Sequence, residues 1–252
     1  MNMICYRIIM NNQLKFSYKY PCLEPGILIK RYKRFLADIE LKSGEIITAH
    51  CPNTGPMTGV STPGSNVMVS HSNNPKRKLA YTWELIEVTD NEPTWVGINT
   101  ALPNRVIKLA LAENLFPELG DYHEFKTEVV YGKERKSRVD FKLISETKNI
   151  YLEVKNTTWA DGRVALFPDT VTQRGQKHLR ELIGVVEQGE RAVCLFLINR
   201  GDCYQFAPGD IADPDYGKLL REAVIKGVEI LPCRFIVTPQ EVNYLGIAEF
   251  IN

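Results

Sequence analysis

Apolar positions in the first third of the chain recur at every second residue. Ile27 and Ile29, then Phe35, Ala37, Ile39 and Leu41 alternate with polar residues, Ser43-Gly44 supplies a turn, and Ile46 and Thr48 return. Alternation around a short glycine turn predicts a β-hairpin. A loop rich in Pro, Gly, Asn and Thr (51–64) separates it from two further strand-like runs, 66–70 and 78–88. Short strands at this spacing predict a small barrel or sandwich of roughly 65 to 75 residues.

After Trp95 the pattern changes. Leu102-Pro103-Asn104 opens a helical run to Leu115, with Val106, Leu109, Ala110 and Ala112 as its apolar face and Pro117 and Gly120 as its stop. Three strand candidates follow at 125–131, 138–144 and 150–156. Thr170 is then the expected cap of a long helix through Glu187, whose apolar side is Leu179, Leu182, Ile183 and Val186. The unbroken run Ala192-Val193-Cys194-Leu195-Phe196-Leu197-Ile198 fits a strand buried on both faces. A helix over 214–226, stopped by Gly227, leads to 228–237 as the expected last strand. The expected fold is α/β with an all-β N-terminal part: 1–24 an extension and first strand region, 25–95 a small β domain, and 96–252 a domain with the order αβββαβ. No repeat or low-complexity linker separates the halves, so they are expected to pack together.

Composition narrows this picture slightly. The formal charge of +1 leaves any affinity for nucleic acid to local basic patches. The six cysteines form no CxxC pair, which fits reduced packing thiols and a cytoplasmic location. The apolar stretch within the first twelve residues (Ile8, Ile9, Met10) is too short and interrupted for a signal sequence or membrane span, and Met3 or Met10 is an alternative start.

The chemistry concentrates in Ser137-Arg138-Val139-Asp140-Phe141 and Tyr151-Leu152-Glu153-Val154-Lys155. Strand alternation turns Asp140 away from Val139 and Phe141, and puts Glu153 and Lys155 on one face. On adjacent strands, the two carboxylates can share Mg²⁺ or Mn²⁺, the Val154 carbonyl can complete an oxygen shell, and Lys155 can orient or deprotonate water. The same residues also fit ordinary solvated strand charges. On the long helix, Arg174, Lys177, His178 and Glu181 share one side, with Gln176 and Arg180 beside it. Its N-terminus suits a phosphate, and Gln176 can hold a water or phosphate oxygen near the carboxylates. A hydrated helix surface explains these residues equally well, and a lone histidine such as His178 is more often structural than a general acid.

Two basic runs in the β domain, Lys30-Arg31-Tyr32-Lys33-Arg34-Phe35 and Lys76-Arg77-Lys78-Leu79-Ala80-Tyr81-Thr82-Trp83, interleave cations with aromatics. They suit phosphate contact with base stacking, or an aromatic core flanked by solvated cations. Arg31, Lys33, Arg34, Lys76, Arg77 and Lys78, with Arg174 and Lys177, are the candidate nucleic-acid contacts. The His50-Cys51-Pro52 turn is not read as a thiol nucleophile, and Gly55, Gly59 and Gly64 match neither a P-loop nor a dinucleotide fingerprint.

Seven segments carry a resemblance to a known family: 30–38, the 50–55 loop, 74–78, 96–100, Ser137 to Phe141, Glu153-Val154-Lys155-Asn156, and Arg174-Gly175-Gln176-Lys177-His178-Leu179. With them the chain resembles the sugar fermentation stimulation protein A family over nearly everything from Pro25 to Pro232. The resemblance implies an OB-like nucleic-acid-binding barrel packed on a domain similar to PD-(D/E)xK nucleases. It also implies an association with DNA binding and with regulation of maltose-type sugar metabolism. Asp140 matches the motif's first acid, Glu153 its second and Lys155 its lysine, and Gln176 falls where related nucleases often use a polar side chain. Glu128 lies in a family segment without an assigned role. About a dozen extra residues precede the usual beginning, and no proline stands before Asp140. The expectation is an Mg²⁺- or Mn²⁺-dependent phosphodiesterase binding DNA, with RNA as an alternative substrate. A non-catalytic DNA-binding regulator is the rival, and an enzyme acting on a sugar or small metabolite is the third reading.

Overall fold

The structure, a computed structural model, describes residues 16–132 and 137–252. The apolar N-terminal stretch and the alternative starts lie outside the described residues.

A short strand β1 (Ser17–Lys19) is followed by β2 (Leu23–Tyr32), β3 (Leu36–Leu41), β4 (Ile46–His50), β5 (Asn66–His71), β6 (Tyr81–Val88) and β7 (Thr94–Gly97). The sheet order is β4-β3-β2-β5-β6-β7, and β4 also pairs with β6 through His50 and Thr82. That pairing closes a five-stranded barrel, as the OB-like expectation requires. The expected strands are present, but their inward faces differ in part from expectation. Leu28 is buried while Ile27 and Ile29 are exposed, and on β4 Ile47 and Ala49 point inward while Ile46 is 65% exposed. The β2–β3 register shifts between Leu28 and Lys30, so alternation identified the strand without fixing which parity faces the core. Trp83 is wholly buried and donates Nε1–H to the Leu85 carbonyl (2.8 Å), so this aromatic belongs to the core.

The rest of the chain runs α1 (Leu102–Ala112), β8 (Glu124–Tyr131), β9 (Ser137–Ile144), β10 (Ile150–Thr157), β11 (Trp159–Asp161), β12 (Val164–Phe167), α2 (Gln173–Glu187), β13 (Arg191–Ile198), β14 (Gln205–Pro208), α3 (Pro214–Ile225), β15 (Glu229–Val237), β16 (Glu241–Ile247) and β17 (Glu249–Phe250). The expected αβββαβ order is therefore present, interrupted by the β11–β12 hairpin. A seven-stranded sheet has the order β1-β16-β15-β13-β10-β9-β8, and β11, β12, β14 and β17 form a smaller one. Strand β15 is not the last, since β16 returns antiparallel beside it. Central β13 is parallel to both neighbours. Val193, Leu195 and Leu197 pack with α1, while Ala192, Cys194, Phe196 and Ile198 pack with α2 and α3, which accounts for the unbroken apolar run.

Helix faces also depart in detail. Leu109 is exposed and Ile107 and Leu111 are buried instead, and on α2 Val185 is buried in preference to Val186. The α2 cap is Thr172, not Thr170; its hydroxyl accepts the Gly175 N–H at 3.1 Å.

The two halves share a core, with Met68 and Leu85 of the barrel packed among the α1 residues. Asn199 also exchanges hydrogen bonds with Gly97, its backbone carbonyl accepting (3.0 Å) and its amide Nδ2 donating (2.9 Å). A side chain at Gly97 would place Cβ within 2.6 Å of that amide, so the approach requires glycine. Buried Arg200 donates to Asp202 (2.7 Å), to the Thr158 carbonyl (3.1 Å) and to Asp90 of the barrel (2.8 Å). Arg200→Ala strands the buried Asp202 carboxylate and is expected to lower unfolding free energy by about 3–5 kcal/mol. Urea denaturation measures this, and a loss below about 1 kcal/mol would show the bridge to be dispensable.

Candidate active site

Strands β9 and β10 pair only as far as Phe141 and Leu152. Beyond that point the Val154 N–H has no ladder partner, and the Asp140 carboxylate accepts it at 2.7 Å. In a strand, a residue's N–H and C=O point to the same side, so the Val154 carbonyl also faces this opening. The second Asp140 oxygen accepts from Asn104 Nδ2 in the first turns of α1 (2.8 Å). That helix is itself tied to the barrel: Asn99 donates to buried Glu84 of β6 (2.7 Å) and accepts the Ala101 N–H (3.0 Å). Burial and then the neighbouring Glu153 charge raise the Asp140 pKa, against the pull of these two hydrogen bonds.

Glu153 lies opposite in character. One oxygen, Oε1, takes Lys155 Nζ (2.7 Å) and the His178 Nδ1 proton. Burial alone would raise its pKa, but the Lys155 charge and the His178 contact outweigh burial and hold it below the usual value. Arg174 Nε lies 3.5 Å from His178 Nε2, which assigns the ring proton to Nδ1. The other carboxylate oxygen, Glu153 Oε2, is buried without a hydrogen-bond partner among the described residues.

These groups line one cavity of about 220 Å³ with Thr100, Asn104, Asn156, Arg174 and His178. The structure thus brings Asp140, Glu153, Lys155 and Arg174 together. It does not bring Gln176, whose amide donates to both oxygens of Asp213, the cap of α3 (3.1 and 3.2 Å). His178, two residues on, occupies the place expected of Gln176. Lys177 pairs with Glu181 away from the cavity (3.7 Å). Asn104 had no sequence signal beyond its position at a helix start. Glu128 takes positive φ (53°) where the β8–β9 register skips opposite Asp140, and is exposed on an edge strand.

In the barrel, Arg31 donates to the carbonyls of Arg34, Asn53 and Gly55, and Arg34 to that of Thr54. Half-buried Arg31 thus holds the 53–55 loop, whereas Arg34 is exposed and spends only its Nε on that loop. Lys33 remains exposed in the β2–β3 turn, and Lys76, Arg77 and Lys78 are exposed between β5 and β6. Arg77 lies near enough to His50 to add to the burial that lowers its pKa, placing this basic loop at the barrel end that carries the 53–55 loop. Cys51 is buried, and burial raises its thiol pKa, consistent with a packing role.

Among the described residues no group of three or more His, Cys, Asp or Glu side chains converges as a metal cage. The donor set instead fits a hard cation that keeps waters and takes one or two carboxylates, with Glu153 Oε2 and the Val154 carbonyl as further oxygens. No helix among the described residues is long and apolar enough to cross a membrane.

Barrel, sheet and cleft define a two-domain protein of mixed α/β architecture whose acidic pair sits where the second domain meets the first. Its residues 29–98 match the family model described as the SfsA N-terminal OB domain, and 101–241 match the sugar fermentation stimulation protein RE domain. The chain belongs to the sugar fermentation stimulation protein A family. It is 95% identical over 250 residues to the sugar fermentation stimulation protein homolog of Trichodesmium erythraeum, covering 99% of this chain and 100% of that one. The homolog of Trichormus variabilis is 68% identical over 240 residues, covering 94% and 99%. Among solved structures, Pyrococcus furiosus SfsA in complex with Ca²⁺ matches with a TM-score of 0.84 at 27% identity, over 93% of this chain and 98% of that one.

Asp140→Asn removes a half-buried charge that Glu153 repels while keeping the size and an acceptor oxygen. In chelator the variant is expected to melt at or above the wild-type temperature, and to lose the rise in melting temperature that Mg²⁺, Mn²⁺ or Ca²⁺ gives the wild type. Thermal unfolding with and without each cation checks both halves.

Proposed function

We propose that this protein is a divalent-cation-dependent phosphodiesterase acting on nucleic acid, DNA foremost, built on a PD-(D/E)xK-like site. The observation that carries the reading is the half-satisfied carboxylate pair: Asp140 is half-buried beside the buried Glu153, Lys155 and His178 both donate to one Glu153 oxygen, and the other oxygen has no partner among the described residues. The Ca²⁺ complex of the Pyrococcus furiosus relative supports a divalent cation in this family. Asp140, Glu153 and the Val154 carbonyl would hold Mg²⁺ or Mn²⁺. Such a cation supplies Lewis-acid stabilisation of charge on a phosphoryl oxygen.

The remaining roles belong to the chain. Lys155, held by Glu153, places an ammonium where it orients the attacking water and offsets negative charge. His178 fixes the Glu153 carboxylate, and Arg174 at the cleft edge offers a phosphate contact. Lys33 and the 76–78 loop extend the positive surface along the barrel. A regulator that binds DNA without turnover is the second reading, favoured by Gln176 being engaged by Asp213.

Purified protein with Mg²⁺ or Mn²⁺ is expected to cleave DNA, with Asp140→Ala and Lys155→Ala each losing at least about a hundredfold in rate. No metal-dependent cleavage of any DNA or RNA, with DNA binding retained, would select the regulator. Replacing Lys76, Arg77 and Lys78 together by Ala is expected to weaken DNA binding and to flatten its dependence on salt, the logarithmic slope falling by about 0.9 for each phosphate no longer neutralised. Unchanged binding would remove that loop from the interface.

A further inference from the structure

A second cavity, of about 240 Å³, opens beside the carboxylate pair and shares Thr100 and Asn156 with it. None of the proposed chemistry uses it. One wall is aromatic: Trp159 of β11 and Phe167 of β12, with Phe167 set edge-on against Phe196 and Tyr216 at 5.6 and 5.4 Å. The facing wall is the barrel loop carrying Asn53, held by Arg31 and Arg34 and joined across the gap by Asp169, which accepts the backbone N–H groups of Met57 and Thr58. The two walls therefore come from different domains and are tied together.

The polar groups are arranged for an incoming acceptor. Asn53 uses its side-chain oxygen for the Gly55 N–H (2.9 Å), and Asn156 uses its own for Asn199 (3.1 Å). Neither Asn53 nor Asn156 donates its amide hydrogens to a protein group among the described residues, so two NH₂ donors remain at a half-buried aromatic wall. A heteroaromatic ring with acceptors on its edge complements that combination. The volume falls below the roughly 300 Å³ of pockets that take drug-sized ligands, which suits one base and not two.

We propose that this cavity is a nucleobase subsite, receiving one unstacked base from the nucleotide that adjoins the phosphate held at Asp140 and Glu153. The assignment rests on the phosphodiesterase reading for its orientation. It narrows the substrate class: a base stacked within a duplex cannot enter, so single strands, frayed ends or branches are preferred to intact duplex.

The test uses the full chain in the presence of Ca²⁺. The four 2′-deoxynucleoside 5′-monophosphates and base-free 2-deoxyribose 5-phosphate are titrated by calorimetry into the wild type, Trp159→Ala and Trp159→Phe, with melting temperatures taken to show that each variant is folded. At least one nucleotide is expected to bind about tenfold or more tighter than the base-free sugar phosphate. Trp159→Ala is expected to erase that difference, and Trp159→Phe to keep most of it. Equal binding of nucleotides and sugar phosphate by the wild type, or an unchanged difference in folded Trp159→Ala, overturns the subsite. Cleavage of single-stranded and duplex DNA, followed in parallel, separates the two readings. Base-dependent binding without cleavage keeps the subsite and removes the phosphodiesterase, whereas cleavage without base-dependent binding does the reverse.

Discussion

A buried carboxylate, Glu153, and a half-buried one, Asp140, come together where β9 parts from β10, and most of the cleft is organised around that fact. A backbone N–H freed by the end of a ladder needs a partner, and Asp140 supplies it to Val154. The same step draws Asp140 in beside Glu153, where desolvation and like charge oppose ionisation. Lys155 and His178 hydrogen-bond only to Glu153, and through one oxygen, and the Lys155 charge offsets only part of what raises the Asp140 pKa. What remains is concentrated negative charge with an unused acceptor, a state that a bound cation relieves and hydrophobic packing does not. Stability for such a cleft has to come from elsewhere in the molecule.

It comes from the frame on either side. Strand β13 is buried on both faces, so α1 and the α2–α3 pair each have a rigid surface to pack on. Asn104 is delivered by α1 and His178 by α2, so the two opposite layers meet at the carboxylates. The barrel is locked to this frame by Met68 and Leu85 in a common core, by the close approach of Gly97 to Asn199, and by the Arg200 bridge to Asp90. A barrel fixed in this way can present its 53–55 loop and basic end at a constant distance from the acidic pair.

Much of this was legible because strands have a period of two. Glu153 and Lys155 do share a face, and the 192–198 run is the doubly buried strand it resembles; burial alternates through Val139, Asp140 and Phe141, but Val139 packs with α2 and α3 and Phe141 with α1, because the β8–β9 register is interrupted at Asp140. What escaped was set by tertiary context. A bulge near Leu28 decides that Ile27 and Ile29 face outward, and no local pattern marks it. On α2, two residues turn the helix by about 200°, so whether Gln176 or His178 meets the carboxylates depends on how α3 docks through Asp213. Arg31 and Arg34 look like phosphate ligands in a basic run, yet the nearest acceptors are carbonyls of their own barrel. The β11–β12 hairpin is too short to show alternation, although it walls the second cavity.

Everything proposed for the cleft requires that the acidic pair hold a divalent cation. Anomalous diffraction from crystals soaked in Mn²⁺ tests this most directly. The predicted result is an anomalous peak bounded by Asp140, Glu153 and the Val154 carbonyl, and absent in crystals of Asp140→Asn. A saturating soak that leaves the cleft without a peak, or places the ion on other ligands, would contradict it.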